Sequence, residues 1–150
     1  MSVYFLDTSA LAKRYIPEIG SEWIVGWIEP DFHNTILISE LATVEFISVI
    51  MRREREGHIS SSNRLKLQND FLFHVQQQYV MIELDSDVLM MARELLVKHP
   101  LRALDALQLA SAVQASISLD IEPIFVSGDV RLLEAAAAED FEVENPNEHL

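Results

Sequence analysis

Four acidic residues stand where an acid needs an explanation: Asp7 in VYFLDTSALAKRY, Glu45 in LATVEFISV, Asp105 in LRALDALQLASA and Asp129 in SGDVRLL. Asp7 and Asp129 each follow a short apolar run and precede a helical pattern. Either could be a helix N-cap, worth about 1 kcal/mol, and nothing more. Glu45 resists that account. In a helix its neighbours at three and four residues are Leu41, Ala42, Ser48 and Val49, so its carboxylate falls on the stripe expected to face the core. An unpaired carboxylate there is costly, and the simplest partner is one arginine, Arg52 or Arg102. Asp105 repeats the problem, because Leu101, Leu109 and Ala112 share its face, with Arg102 and Gln108 beside it. A surface pair between Asp105 and Arg102 would contribute only about 0.2–0.5 kcal/mol.

If the four acids meet, separate explanations fail together. Two carboxylates about 4 Å apart repel by roughly 4 kcal/mol at an effective dielectric of about 20. Such a cluster requires protonation or a cation. The chain has no Cys, and His33, His58, His74, His99 and His149 form no H-x-H or H-E-x-x-H spacing, which argues against zinc. The remaining ligands are hard oxygens, which suit Mg²⁺ or Mn²⁺.

The elements that would position these acids alternate in type. VYFL reads as a buried strand, and Thr8 and Ser9 can open the helix SALAKRY, which Pro17 stops. SEWIVGWIE is a second helix with Ser21 as cap, and ILIS a second strand. From Glu40 a helical pattern with Leu41, Val44 and Val49 runs through MRRERE to Gly57, a C′ residue. The cluster Ser60 to Asn63 starts a helix through LKLQNDFLFHVQQQ, and YVMIEL is a strand. Asp85 or Ser86 caps SDVLMMARELLVKH, and ALDALQLASAVQAS is a close-packing helix. PIFVS, VRLLEAAAA and FEVE read as strand, helix and strand. Strands alternating with helices predict an α/β fold, a three-layer α/β/α sandwich around a mostly parallel sheet, with residues 1–150 as a single domain. Ligands in such folds bind outside the carboxyl ends of the strands, where Asp7 and Asp129 fall.

Composition narrows the function further. Eleven basic against 24 acidic residues give a net charge of −13, which opposes a broad phosphate-binding face and favours a cation or a basic partner. No leader or membrane-spanning run is evident, so a soluble, cytoplasmic protein is expected.

Taken in order, FLDTSALAKRY, ATVEF, LRALDALQLASA and FVSGDVRLLEAAAAEDFEVENP resemble the PIN domain family, and within it the VapC-type toxin ribonucleases. The resemblance spans almost the whole chain. It maps the family's acidic tetrad onto Asp7, Glu45, Asp105 and Asp129, and its accompanying hydroxyls onto Thr8, Ser9 and Ser127. It implies an endoribonuclease using Mg²⁺ or Mn²⁺, often a homodimer, neutralised by a small antitoxin. The chain departs from the resemblance in its acidity. Basic residues for an RNA groove remain at Lys13, Arg14, Arg52, Arg53, Arg55, Lys98 and Arg102.

Two other readings stay open on the residues alone. One is a metal phosphohydrolase of small substrates, although DTSA lacks the second Asp of a D-x-D phosphotransfer motif. The other is a binding module whose acidic pocket receives a partner's arginine. Trp23, Trp27, Phe71 and Phe73 are candidates for a dimer or antitoxin surface, or for ordinary core.

Overall fold

A computed structural model describes residues 1–150. Five strands form one sheet: β1 (Val3–Leu6), β2 (Thr35–Ser39), β3 (Val80–Ile82), β4 (Ile124–Val126) and β5 (Val143–Glu144). Their order is β3-β2-β1-β4-β5, and every pairing is parallel. Seven helices cover the two faces: α1 (Thr8–Ala12), α2 (Ser21–Ile28), α3 (Glu40–Arg55), α4 (Ser61–Gln77), α5 (Ser86–Lys98), α6 (Ala103–Leu119) and α7 (Val130–Ala138). The expected α/β/α sandwich is present, with its sheet wholly rather than mostly parallel.

The two-residue period of the strands sorts the core. Leu37, Phe5 and Phe125 lie in register and point toward α5, α6 and α7, where Phe5 stacks on Phe125 at 5.4 Å between centroids. One residue further on, Ile38, Leu6 and Val126 face α1 to α4. Each such side chain contributes about 1.5–3 kcal/mol by burial, and a one-residue slip would exchange both rows at once. No helix is long and apolar enough to cross a membrane.

Several local expectations are corrected. Helix α1 ends at Ala12, and Lys13, Arg14 and Tyr15 continue as turns bonded to residues 10, 11 and 12. Lys13 and Arg14 turn inward there. Ser21 does not cap α2. Gly20 does, at φ +90°, where an added Cβ would meet the Pro146 carbonyl at 2.5 Å; Ser21 instead accepts from the Glu18 amide. In α3 the buried stripe is Ala42, Phe46 and Ile50, while Val44 is exposed, so the helix is rotated from the expected Leu41–Val44–Val49 face. Gly57 does follow α3, at φ +78°, with its own amide bonded to Glu54 and that of His58 to Arg53. The strand expected in YVMIEL is the short edge strand β3, and Asp85 rather than Ser86 caps α5, accepting from Val88 N at 2.9 Å.

The sheet order places the site. From β1 the chain moves outward through β2 to β3, and from β4 it moves the other way to β5. The crevice between the ends of β1 and β4 is therefore the topological switch point.

Candidate active site

Asp7 directly follows β1 and Asp129 follows β4 by three residues, so neighbouring strands deliver both to the same rim. Glu45 comes from the second turn of α3, the helix that leaves β2, and Asp105 from the first turn of α6. All four line one open cleft of about 890 Å³. None forms an ion pair, since the pairs in the molecule lie elsewhere, at residues such as Glu18, Glu29, Glu54 and Glu139. The arginine partners considered for Glu45 and Asp105 are not used.

Neutral donors hold Asp7, Glu45 and Asp129 instead. Asp7 is 5% exposed. Its Oδ1 accepts from Ser9 Oγ at 2.7 Å and from Ala10 N at 3.0 Å, and its Oδ2 accepts from Ser127 Oγ at 2.5 Å. Ser127 Oγ in turn accepts from Asp129 N at 3.0 Å, and Ser9 Oγ from Gly128 N at 3.1 Å, which ties the ends of β1 and β4 together. Thr8 Oγ1 donates to Glu45 Oε1 at 2.7 Å. The three hydroxyls singled out in the sequence thus all bond to a carboxylate of the set. Capping is real as well: Asp7 caps α1, and Asp129 Oδ1 accepts from Arg131 N at 3.0 Å and Leu132 N at 3.3 Å. Each cap occupies one oxygen. The carboxylate of Asp105, Oε2 of Glu45 and Oδ2 of Asp129 make no hydrogen bond within the protein.

The electrostatics follow from this arrangement. Burial pushes the Asp7 carboxyl up to about 6, against the lowering effect of its bonds from Ser127, Ala10 and Ser9, and the nearby Asp105 charge adds to the rise. Asp105 is raised chiefly by burial, then by Asp129 and Glu45, while Arg102 opposes the rise. The acids therefore feel one another, as repulsion across a shared cleft requires.

No three acidic or imidazole side chains stand close enough to enclose an ion by themselves. That agrees with the way Mg²⁺ is held, through one or two carboxylates with water and substrate phosphate as the remaining ligands, rather than by a full protein cage. Carboxylate oxygens that no basic side chain pairs fit such an ion.

The basic candidates divide. Lys13 is buried, its ammonium donating to Glu18 Oε1, the Ile19 carbonyl and Asn147 Oδ1, and Arg14 donates to Gln78, Tyr79 and Glu29. Both are structural and unavailable to a ligand. Lys98 is paired with Glu139. Arg52 and Arg53 line the cleft without an acidic partner. Trp27 and Phe71 are core, Phe73 is exposed, and Trp23 stacks on His149.

The site also holds Gln108, three residues after Asp105 in the sequence. Gln108 donates through Nε2 to Glu45 Oε1 at 2.8 Å and to Thr8 Oγ1 at 3.1 Å. The available signal is a glutamine, one turn after the acid, in the stretch ALDALQLA, otherwise of Ala and Leu.

A parallel α/β/α sheet with an acidic cleft at its switch point defines the class, and family comparison completes the assignment. The chain belongs to the PIN domain family, a family of nucleases, and matches it over residues 4–138. No curated protein sequence matches the chain. Among solved structures the fold is shared with VapBC2 from Rickettsia felis bound to a promoter DNA fragment, at 13% identity and TM-score 0.65 over 95% of this chain and 98% of that one. It is shared with PAE2754 from Pyrobaculum aerophilum, at 19% identity and TM-score 0.62 over 98% and 85% of the two chains. VapC20 from Mycobacterium tuberculosis, a toxin that cleaves the sarcin-ricin loop, is similar at 16% identity and TM-score 0.63 over 95% and 99%.

Proposed function

We propose that residues 1–150 act as one PIN-like unit, a Mg²⁺- or Mn²⁺-dependent endoribonuclease that is the toxin of a type II toxin–antitoxin pair. The observation that carries this reading is the gathering of Asp7, Glu45, Asp105 and Asp129 on one cleft without a basic partner. Family membership supports nuclease chemistry, and the similar solved structures of toxin–antitoxin complexes support a small antitoxin partner. A homodimer and a cytoplasmic location belong to the same proposal.

A bound divalent ion would supply charge that offsets the carboxylate repulsion and Lewis acidity toward a phosphate oxygen and a water. Of Asp7, Asp105 and Asp129, one or two would ligate it directly and the rest through water, with Glu45 as a further ligand or as the base that orients the attacking water. Thr8 keeps the Glu45 carboxylate, and Ser9 and Ser127 the Asp7 carboxylate, from turning away, through the bonds described above. Glu45→Gln is expected to lower Mn²⁺-dependent cleavage of RNA by about a hundredfold, within the usual worth of general-base catalysis. Unfolding by circular dichroism should remain cooperative, and an unfolded variant would make Glu45 structural instead.

A chain of net charge −13 needs a local site for a polyanion. Arg52 and Arg53 supply one on the wall of the cleft, neither of them in an ion pair. In an Asp7→Asn background that binds without cutting, Arg52→Ala and Arg53→Ala should each weaken single-stranded RNA binding. Each should also reduce the slope of log affinity against log salt by about 0.7. Fluorescence anisotropy across a KCl series checks this, and unchanged slopes would place the RNA elsewhere.

A further inference from the structure

Gln108 is sealed beneath the acidic cleft at 2% exposure, yet only half of its amide is satisfied. Nε2 bridges Glu45 Oε1 and Thr8 Oγ1, whereas Oε1 is buried with no donor. An unpaired buried carbonyl is destabilising, and methionine would fill nearly the same volume without it. Core packing therefore does not explain a glutamine at this position. Its bonds join three of the elements that build the site: α6 one turn after Asp105, α1 one residue after Asp7, and α3 at Glu45.

Thr8 and Gln108 donate to the same oxygen of Glu45, Oε1, and leave Oε2 without a protein partner. Both donors are uncharged. An arginine or lysine in place of Gln108 would hold Glu45 as firmly but would cancel its charge and act as an internal competitor for any cation. A neutral amide fixes the carboxylate and keeps its full negative charge for the cleft. We propose that Gln108 is a positioning residue, an uncharged clamp that aligns Glu45 without neutralising it. This rests on the metal-dependent nuclease reading above.

The test measures Mn²⁺ affinity by electron paramagnetic resonance on the wild-type chain, Gln108→Met, Glu45→Gln and the double variant, with thermal unfolding of each in EDTA. Gln108→Met should bind Mn²⁺ about tenfold more weakly, the lower end of the effect of removing a ligand's supporting bond. It should lower kcat for RNA with little change in KM, and unfold at the same temperature or a higher one. In the Glu45→Gln background the same substitution should cost no further Mn²⁺ affinity, because the clamp has lost what it holds. Gln108→Lys should weaken Mn²⁺ binding more than Gln108→Met does. Unaltered affinity in Gln108→Met, an equal loss in both backgrounds, wild-type affinity in Gln108→Lys, or an unfolding temperature that falls with activity would each overturn the clamp. If instead the wild-type chain binds no Mn²⁺, or Asp7→Asn binds it equally well, the nuclease reading itself fails and the clamp goes with it.

Discussion

Replacing Asp7 by asparagine is expected to lower Mn²⁺-dependent RNA cleavage by about a thousandfold, the rate equivalent of losing several kcal/mol of charge stabilisation. Asp7 is the most buried acid of the set and lies at the centre of the bonds that join β1 to β4. Asparagine keeps the shape and can still accept from Ala10 N, so the cap of α1 survives while the charge is lost. The measurement is single-turnover cleavage of a labelled RNA, in Mn²⁺ and in EDTA. Undiminished cleavage by clean Asp7→Asn protein would end the assignment of this cleft as the catalytic centre.

The same substitution should stabilise the metal-free protein. Asp7 titrates near 3.8 when unfolded and at about 6 when folded, so the folded state binds its proton more tightly. The folded protein's advantage from this group is fully present below about pH 4 and is lost as pH rises through about 6. At pH 7.5 the wild-type chain carries the whole penalty, on the order of 3 kcal/mol, and Asp7→Asn carries none. Urea unfolding in EDTA should show the variant as the more stable protein at pH 7.5, with the difference shrinking toward pH 4. Saturating Mn²⁺ should reverse the order, because it binds only the folded wild-type site. A variant less stable than wild type at both pH values would mean that the Ser9 and Ser127 bonds outweigh the buried charge. Loss of activity with gain of stability is the signature of a residue kept for function.

Much of this was legible in the chain. The alternation of apolar runs with helical patterns is enough for a parallel α/β/α sandwich, because parallel strands need crossover helices and both sheet faces must be covered. An acid at the seam of strand and helix marks both ends, Asp7 followed by hydroxyls after β1 and Asp129 preceded by Ser127 after β4. Helix periodicity was less reliable for α3, where apolar residues occur on more than one face. Phe46 and Ile50 decide the buried side, and Glu45 sits half-buried at its margin.

The amino-acid sequence alone determined the residue types of the site, the order of its elements and the rim at which Asp7 and Asp129 emerge. Those are local properties, set by hydrophobic period, capping chemistry and the alternation of segments. Only the tertiary structure decided which groups meet. Gln108 reaches Thr8 across 100 residues and Ser127 reaches Asp7 across 120. Lys13 and Arg14 are spent on the fold, and Glu45 is held by a hydroxyl and an amide where an arginine had been the simpler expectation. The physical reason is that periodicity states which face of a helix turns inward but not what stands opposite. The placement of β4 beside β1 makes that choice, by closing the crevice in which the acids, their neutral donors and the unpaired arginines come within reach of one another.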